Sequence, residues 1–148
     1  MRFLGAALAV WALTGCATIQ SQSGVGILKV LPHYLDEKGR HTDGSTLLHR
    51  DSYQKKLRNN PHLARSMRYD INWHGVGEVT FRLELRSNKS GLQPITLEQT
   101  VDSGVGPRHW SSIEIAHDKY LEFGQPYSWR VSLLRGEEIL DQDQSFLW

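Results

Sequence analysis

The chain has 148 residues, a formal charge of +1 and one cysteine, and 39% of its residues are hydrophobic. A chain of this length is expected to form one domain. Cleavage after Gly15 would remove Arg2, the charged residue of the N-terminal segment, and would leave a formally neutral mature chain. Because phosphate contacts need an excess of lysine and arginine, this composition argues against a nucleic-acid partner.

An export signal is predicted at the N-terminus. Arg2 precedes an apolar run over residues 3–13, which is too short to cross a bilayer as a helix. The run ends in Leu13-Thr14-Gly15-Cys16, which resembles the lipobox of bacterial lipoproteins. That resemblance implies cleavage before Cys16 and acylation of its thiol and of the new amino terminus. Several acyl chains together anchor a protein firmly.

The alternative to a lipobox is a plain secretory signal followed by a free thiol. Exported chains normally use cysteines in pairs, and this chain has a single one, at the expected cleavage site. The lipoprotein resemblance also implies an outer-membrane location, because Ala17 and not aspartate follows Cys16. We therefore expect a signal peptide over residues 1–15, a lipidated cysteine with a polar tether over 16–24, and a folded domain over 25–148.

Seven segments have the period-two alternation of β-strands with one wet face, for example Val79, Phe81 and Leu83 between polar neighbours. A glycine-containing turn over residues 75–77 separates two of them, and Ser111-Ser112 suggests a bulge in another. The predicted strands span residues 27–35, 67–74, 79–86, 95–101, 110–115, 127–134 and 138–147. Seven short strands in one domain predict an all-β fold, an antiparallel two-sheet sandwich.

One segment points to a particular kind of sandwich. Leu121, Gly124, Tyr127, Trp129 and Val131 are spaced as Leu-x-x-Gly-x-x-Tyr-x-Trp-x-Val. This spacing resembles the tyrosine corner of immunoglobulin-like and fibronectin type III domains. The resemblance implies a Tyr127 hydroxyl that hydrogen-bonds to backbone a few residues upstream, with Leu121 and Trp129 in the core. The alternative is an ordinary loop before a strand.

Residues 36–65 do not follow the strand pattern and predict a short α-helical insertion after the first strand, at about residues 45–60. Asp51 is the expected N-cap of a helix over 52–59, and Pro61 is the expected stop. This region carries seven cations and four anions, whereas residues 103–148 carry four cations and seven anions. We expect the insertion to lie near the tether.

The excess of cations suggests that Lys55, Lys56 and Arg58 form a patch for an anionic partner, either anionic lipid, lipopolysaccharide phosphate or an acidic protein. The alternative is a solvated helix without a target.

The chain offers little that predicts catalysis or metal binding. Ser52 and Lys55 have the Ser-x-x-Lys spacing of penicillin-binding proteins and class A β-lactamases, but the accompanying Lys-Thr-Gly and Ser-Asp-Asn motifs do not occur. The histidines of the insertion region match no ligand spacing; they are His33, His41, His49 and His62. We therefore predict no catalytic residue, no metal and no cofactor.

The sequence favours a lipid-anchored cell-envelope protein that is not an enzyme and acts as a binding or assembly module. Its expected partners are the membrane, through the N-terminal lipid, and an envelope protein or glycan. An alternative is a carbohydrate-binding module for cell-wall or surface glycan, with Trp110 or Trp148 as the aromatic platform. A third and weaker alternative is a small hydrolase built on Ser52 and Lys55.

Overall fold

The computed structural model describes residues 24–148, and the acylation site predicted at Cys16 lies outside them. The elements in chain order are β1 (Gly26–Leu35), α1 (Leu47–Asn59), a 3-10 turn (Pro61–Leu63), β2 (Ser66–His74), β3 (Gly77–Ser87), β4 (Ile95–Ser103), β5 (His109–Ile115), α2 (His117–Phe123), β6 (Pro126–Arg135) and β7 (Glu138–Gln144). The seven predicted strands are confirmed, although the last ends three residues earlier than expected.

The strands form two antiparallel sheets, one of three strands in the order β1-β2-β5 and one of four in the order β4-β3-β6-β7. The predicted all-β sandwich is therefore confirmed. Alternate residues of both sheets point inward, and the rings of Trp73 and Phe81 meet edge to face with centroids 5.3 Å apart. The fully buried side chains from both sheets include Tyr69, Ile71, Trp73, Phe81, Leu83, Leu85, Ile115, Val131 and Leu133.

The strand directions give the sandwich two distinct ends. The near end is where Gly24 leads into β1, and it also carries the turns around residues 75–76, 104–108 and 136–137. The far end carries α1, the loop over residues 88–94, α2 and the C-terminal segment 145–148. Nine residue steps of β1 separate the two ends, a length of about 30 Å.

The predicted bulge at Ser111-Ser112 is wrong. β5 pairs with β2 in unbroken register from Met67↔Ile115 to Trp73↔His109. Ser111 lies on the inward side of β5, where its hydroxyl accepts a 3.0 Å hydrogen bond from the Trp73 indole nitrogen. A small polar residue therefore occupies an inward-facing position of β5, because the buried indole needs a hydrogen-bond acceptor.

The predicted helical insertion is present, but α1 begins earlier than expected. Thr46 and not Asp51 is the N-cap, and its side chain accepts a hydrogen bond from the backbone N–H of His49. Asp51 lies inside α1 and pairs with Arg50 on the surface. The helix buries three residues against the sandwich: Tyr53, Gln54 and Leu57.

The predicted tyrosine corner is wrong for Tyr127 and Leu121, whereas Trp129 packs against the core as predicted. Residues 117–123 form α2, whose buried side chains are Tyr120 and Phe123, and burial raises the pKa of Tyr120 to about 12. Leu121 instead faces solvent, and Tyr127 is 48% exposed. Within residues 24–148 no hydrogen bond involves the Tyr127 hydroxyl, so another packing arrangement holds this corner together.

Candidate functional site

The insertion is fixed to the edge of the three-stranded sheet by the Gln54 side chain. Its amide oxygen accepts from the Tyr34 backbone N–H at 2.8 Å, and its amide nitrogen donates to the Tyr34 carbonyl at 2.9 Å. The same nitrogen donates to the carbonyl of His41 at 2.8 Å. Because Gln54 is buried, these hydrogen bonds give α1 a fixed position on β1.

Asp36 organises the loop between β1 and α1. Its carboxylate accepts hydrogen bonds from the backbone N–H groups of Lys38 and Arg40, from the Arg40 guanidinium and from the Tyr53 hydroxyl, at 2.6–2.9 Å. Burial alone would raise the pKa of Asp36, but the hydrogen bonds from Tyr53 and Arg40 hold it well below its usual range. The charged carboxylate therefore links the loop to the helix.

A second carboxylate, Asp70, lies on the outer face of the three-stranded sheet. It accepts from His33 Nδ1 at 2.9 Å, from the Ser112 hydroxyl at 2.6 Å and from the Arg68 guanidinium at 3.0 Å. Burial would raise the pKa of Asp70, but these three hydrogen bonds hold it well below its usual range. The carboxylate thus joins β1, β2 and β5 across the sheet.

The residue types around Asp70 are those of a catalytic triad, but their connections differ. In a triad the serine donates to the histidine, which in turn donates to the aspartate. Here Ser112 and His33 both contact Asp70. The ring of His41 lies 5.0 Å from that of His33, and burial together with His33 lowers the pKa of His41. Ser112 thus donates to the aspartate and not to a histidine, and the His33–His41 ring contact connects the cluster to the loop before α1.

The predicted patch of Lys55, Lys56 and Arg58 is exposed on α1. None of the three forms a salt bridge within residues 24–148, and the Lys56 amine lies 5.8 Å from the centre of the Tyr53 ring. At 100° per residue they spread over about 160° of the helix surface. They form a broad cationic surface and not a single binding pocket.

The insertion predicted to lie near the tether is at the far end of the sandwich, and all of the tether except Gly24 lies outside the described residues. α1 packs against the far half of β1, where Leu31, Pro32 and Tyr34 share a surface depression with Arg50 and Arg58. Gly24 lies at the other end of the sandwich, so the patch is remote from the first residue that the structure describes.

The two residues of the Ser-x-x-Lys motif are not joined. Ser52 and Lys55 are both exposed on α1, and no hydrogen bond between them occurs in the described part of the chain. Of the four histidines, His33 and His41 are in ring contact, but within residues 24–148 no three histidine, cysteine or acidic side chains are grouped as a metal ion would need.

The two tryptophans predicted as glycan platforms occupy different surfaces. Trp110 is 56% exposed on the outer face of the three-stranded sheet, with the Lys29 amine 5.4 Å from its ring centre. Trp148 lies on the four-stranded sheet, where the guanidinium groups of Arg86 and Arg130 are 4.1 and 4.7 Å from its ring centre. Only Trp110 presents most of its ring to solvent.

Five exposed apolar side chains at the far end, which we call the far-end rim, were not predicted from the sequence. Its members are Leu92, Leu121, Tyr127, Phe146 and Leu147. Lys89 donates to the carbonyls of Leu121 and Glu122, which ties the loop over residues 88–94 to α2. Ser145 and Trp129 exchange hydrogen bonds that hold the C-terminal segment on β6. The adjacent apolar residues 146–148 were the sequence signal for this surface.

Comparison with known proteins gives no family for the chain. No protein-family model matches it, and no significant match is found among curated proteins or among solved structures. None of the helices within residues 24–148 is long and apolar enough to span a membrane.

Proposed function

We propose that this protein is a lipid-anchored component of the cell envelope that acts as a non-enzymatic binding or assembly module. The observation that carries this proposal is that the two ends of the sandwich differ. The chain that follows Cys16 enters at the near end, while the far end presents both the patch of Lys55, Lys56 and Arg58 and the far-end rim. The near end, to which the tether connects, and the partner surface would then lie about 30 Å apart.

The lipobox resemblance supplies the location in this proposal: Cys16 is acylated, and the domain faces the periplasm from the outer membrane. The sandwich itself is immunoglobulin-like in this proposal. Its first, second and fifth strands share one sheet and its third, sixth and seventh share the other, as in the seven-stranded immunoglobulin fold. β4 joins the second sheet here, whereas the constant-type fold places its fourth strand in the first.

The anchor is tested by intact mass and membrane fractionation of the protein from its native host, with Cys16→Ser as the comparison. We expect a triacyl mass increment and recovery with the outer membrane, both lost in the variant. A soluble product without added mass would overturn the anchor.

The partner surface is tested by photo-cross-linking in the native membrane, with the probe at Leu147 or at Asn59 beside the patch. A matched probe at Asp102, on the outer face of β4 at the near end, serves as the control. We expect one defined adduct from the far-end probes, weakened by the combined change Lys55→Glu, Lys56→Glu and Arg58→Glu. Equal labelling from all three probe positions would contradict a far-end partner.

Exposure of Trp110 favours a second candidate function, the binding of cell-wall or surface glycan. Aromatic rings present apolar faces on which a ligand ring can stack, and more than half of this residue is accessible. Titration of the protein with soluble cell-wall glycan fragments should then change tryptophan fluorescence. The change should disappear in Trp110→Ala and persist in Trp148→Ala. An unchanged response in Trp110→Ala would remove this residue as the platform.

A further inference from the structure

Two turns at the near end each carry an exposed valine. Val76 lies between Gly75 and Gly77 at the β2–β3 turn and is 51% exposed. Val105 lies between Gly104 and Gly106 in the connection from β4 to β5 and is fully exposed. Because the flanking glycines have no side chains, each valine is an exposed apolar group with no neighbouring side chain in the sequence to cover it.

Gly24, the first residue that the structure describes, lies beside these turns. Gly24 and Val25 line a depression of about 420 Å³ together with Val76, Pro107 and Arg135. Eight residue steps separate Gly24 from Cys16, which limits the distance between them to about 28 Å. An acyl anchor on Cys16 therefore keeps both valine turns within one short tether length of the bilayer surface.

The charges at this end do not favour an anionic surface. Arg108 and Arg135 lie beside the turns, and Arg135 donates to the carbonyl of Val76 at 3.0 Å. The acidic side chains at the same end outnumber them: Glu78, Asp102, Glu137 and Glu138. Attraction between this end and a bilayer would have to come from apolar contact and not from anionic headgroups.

We propose that the near end rests on the membrane that holds the acyl anchor, with Val76 and Val105 inserted at the boundary between headgroups and acyl chains. The inference rests on the proposed lipid anchor. Two valines alone would bind a bilayer weakly, but a tethered domain meets the surface at a high effective concentration, so a weak contact suffices. The contact orients the domain so that the patch and the far-end rim point away from the membrane.

Site-directed spin labelling of the full, acylated protein tests this orientation. Acylation consumes the single native thiol, so Val76→Cys and Val105→Cys each provide one labelling site. The matched control is Phe146→Cys, which is as exposed as Val105 but lies at the far end. Each labelled protein is reconstituted into vesicles of phosphatidylcholine and phosphatidylethanolamine, and collision rates with oxygen and with a water-soluble nickel complex are measured.

We expect oxygen to relax the labels at 76 and 105 several-fold more than the label at 146, with the nickel complex showing the opposite order. High salt should leave these values unchanged. Labels at 76 and 105 that are as accessible to the nickel complex as the label at 146 would overturn the inference, and so would a membrane signal that high salt abolishes.

Intact mass of the same samples separates this inference from the proposed function. An acylated, membrane-bound protein with both near-end labels in water would overturn the bilayer contact alone. A protein without acyl mass would overturn the anchor and this contact with it. Val76→Ser and Val105→Ser alter only exposed side chains, so reduced protection of a label on the neighbouring turn in either variant would support insertion.

Discussion

At the scale of single residues, buried and partly buried polar groups join separate parts of the chain. Gln54 satisfies three backbone groups, and Asp36 and Asp70 each accept hydrogen bonds from separate parts of the chain. Removing one such side chain leaves its buried partners unsatisfied, at a cost of about 1–3 kcal/mol for each group. These residues therefore contribute to stability out of proportion to the apolar area that they bury.

Gln54→Ala should lower the free energy of unfolding by about 2–4 kcal/mol, because the buried backbone groups of Tyr34 lose their partner. Urea unfolding followed by tryptophan fluorescence measures the change. Asn59→Ala, at an exposed position of the same helix, is the control and should remain within about 0.5 kcal/mol of the parent. Equal stability of the two variants would contradict this account of the insertion.

Asp70 should make stability depend on pH in the acid range. Its pKa is lower in the folded protein than in the unfolded chain, so its contribution is complete above the unfolded pKa of about 3.9 and is lost as pH falls further. Asp70→Asn should therefore be less stable than the parent at pH 7, with the difference shrinking below about pH 4. Urea unfolding at several pH values measures this, and Asp118→Asn, on the exposed side of α2, is the control. A difference independent of pH would contradict the prediction.

At the scale of secondary-structure elements, the ends of helices and turns were harder to predict than the strands. The strands follow from alternation, since residues such as Leu83 and Leu85 must share one face. The start of α1 could not be predicted from a pattern, because Leu47 and Leu48 in its first turn face solvent and leave no amphipathic pattern there. For α2, the sequence contained a helix signal that was not recognised: Tyr120 and Phe123 lie three residues apart, and Gly124 follows as the stop.

The N-cap of α1 can be tested directly. Thr46→Ala should cost about 1 kcal/mol, because the N–H of His49 loses its side-chain acceptor. Asp51→Ala removes only an exposed ion pair and should cost about 0.5 kcal/mol or less. The two free energies of unfolding, measured in urea under identical conditions, should preserve that order. A larger loss of stability in Asp51→Ala would instead support Asp51 as the N-cap, as predicted from the sequence.

The β2–β3 turn requires glycine at position 75, where a side chain would not fit. Gly75 has φ of +143°, and a Cβ atom there would lie 2.8 Å from a methyl carbon of Val25. Gly75→Ala should therefore destabilise the fold by more than about 1 kcal/mol. Gly104→Ala is the control, because a Cβ at that position meets no atom within 4 Å. Thermal unfolding of both variants would show a lower midpoint only for Gly75→Ala, and similar midpoints would refute the prediction.

At the scale of the whole molecule, the direction of β1 determines which surfaces lie close to the chain entry and which lie far from it. The excess of cations near α1 was visible in the sequence, but its distance from the chain entry depends on strand direction and packing. The Asp70 cluster was equally hidden, because His33 and Ser112 come from β1 and β5 and meet only across β2. Composition can therefore suggest a patch, whereas only the assembled sheets show where it faces.

Phe146→Ser combined with Leu147→Ser should separate binding from stability. Both side chains are exposed, so the free energy of unfolding should stay within about 0.5 kcal/mol of the parent, while the far-end cross-linked adduct from a probe at Asn59 should be lost. Leu133→Ala is the stability control, because this side chain is fully buried and its truncation should cost about 2–5 kcal/mol. An undiminished adduct in the double variant would remove these two residues from the partner surface.

The hydrogen bonds of Gln54 also bear on self-association. β1 is an edge strand, and its unpaired backbone groups could template the addition of a strand from another chain. Gln54 occupies the N–H and carbonyl of Tyr34 as a neighbouring strand would, and the Asp141 carboxylate accepts from the N–H of Ile27 near the other end. The inserted helix thus closes an edge of the sheet, so its detachment would expose the protein to aggregation before the sandwich itself unfolds.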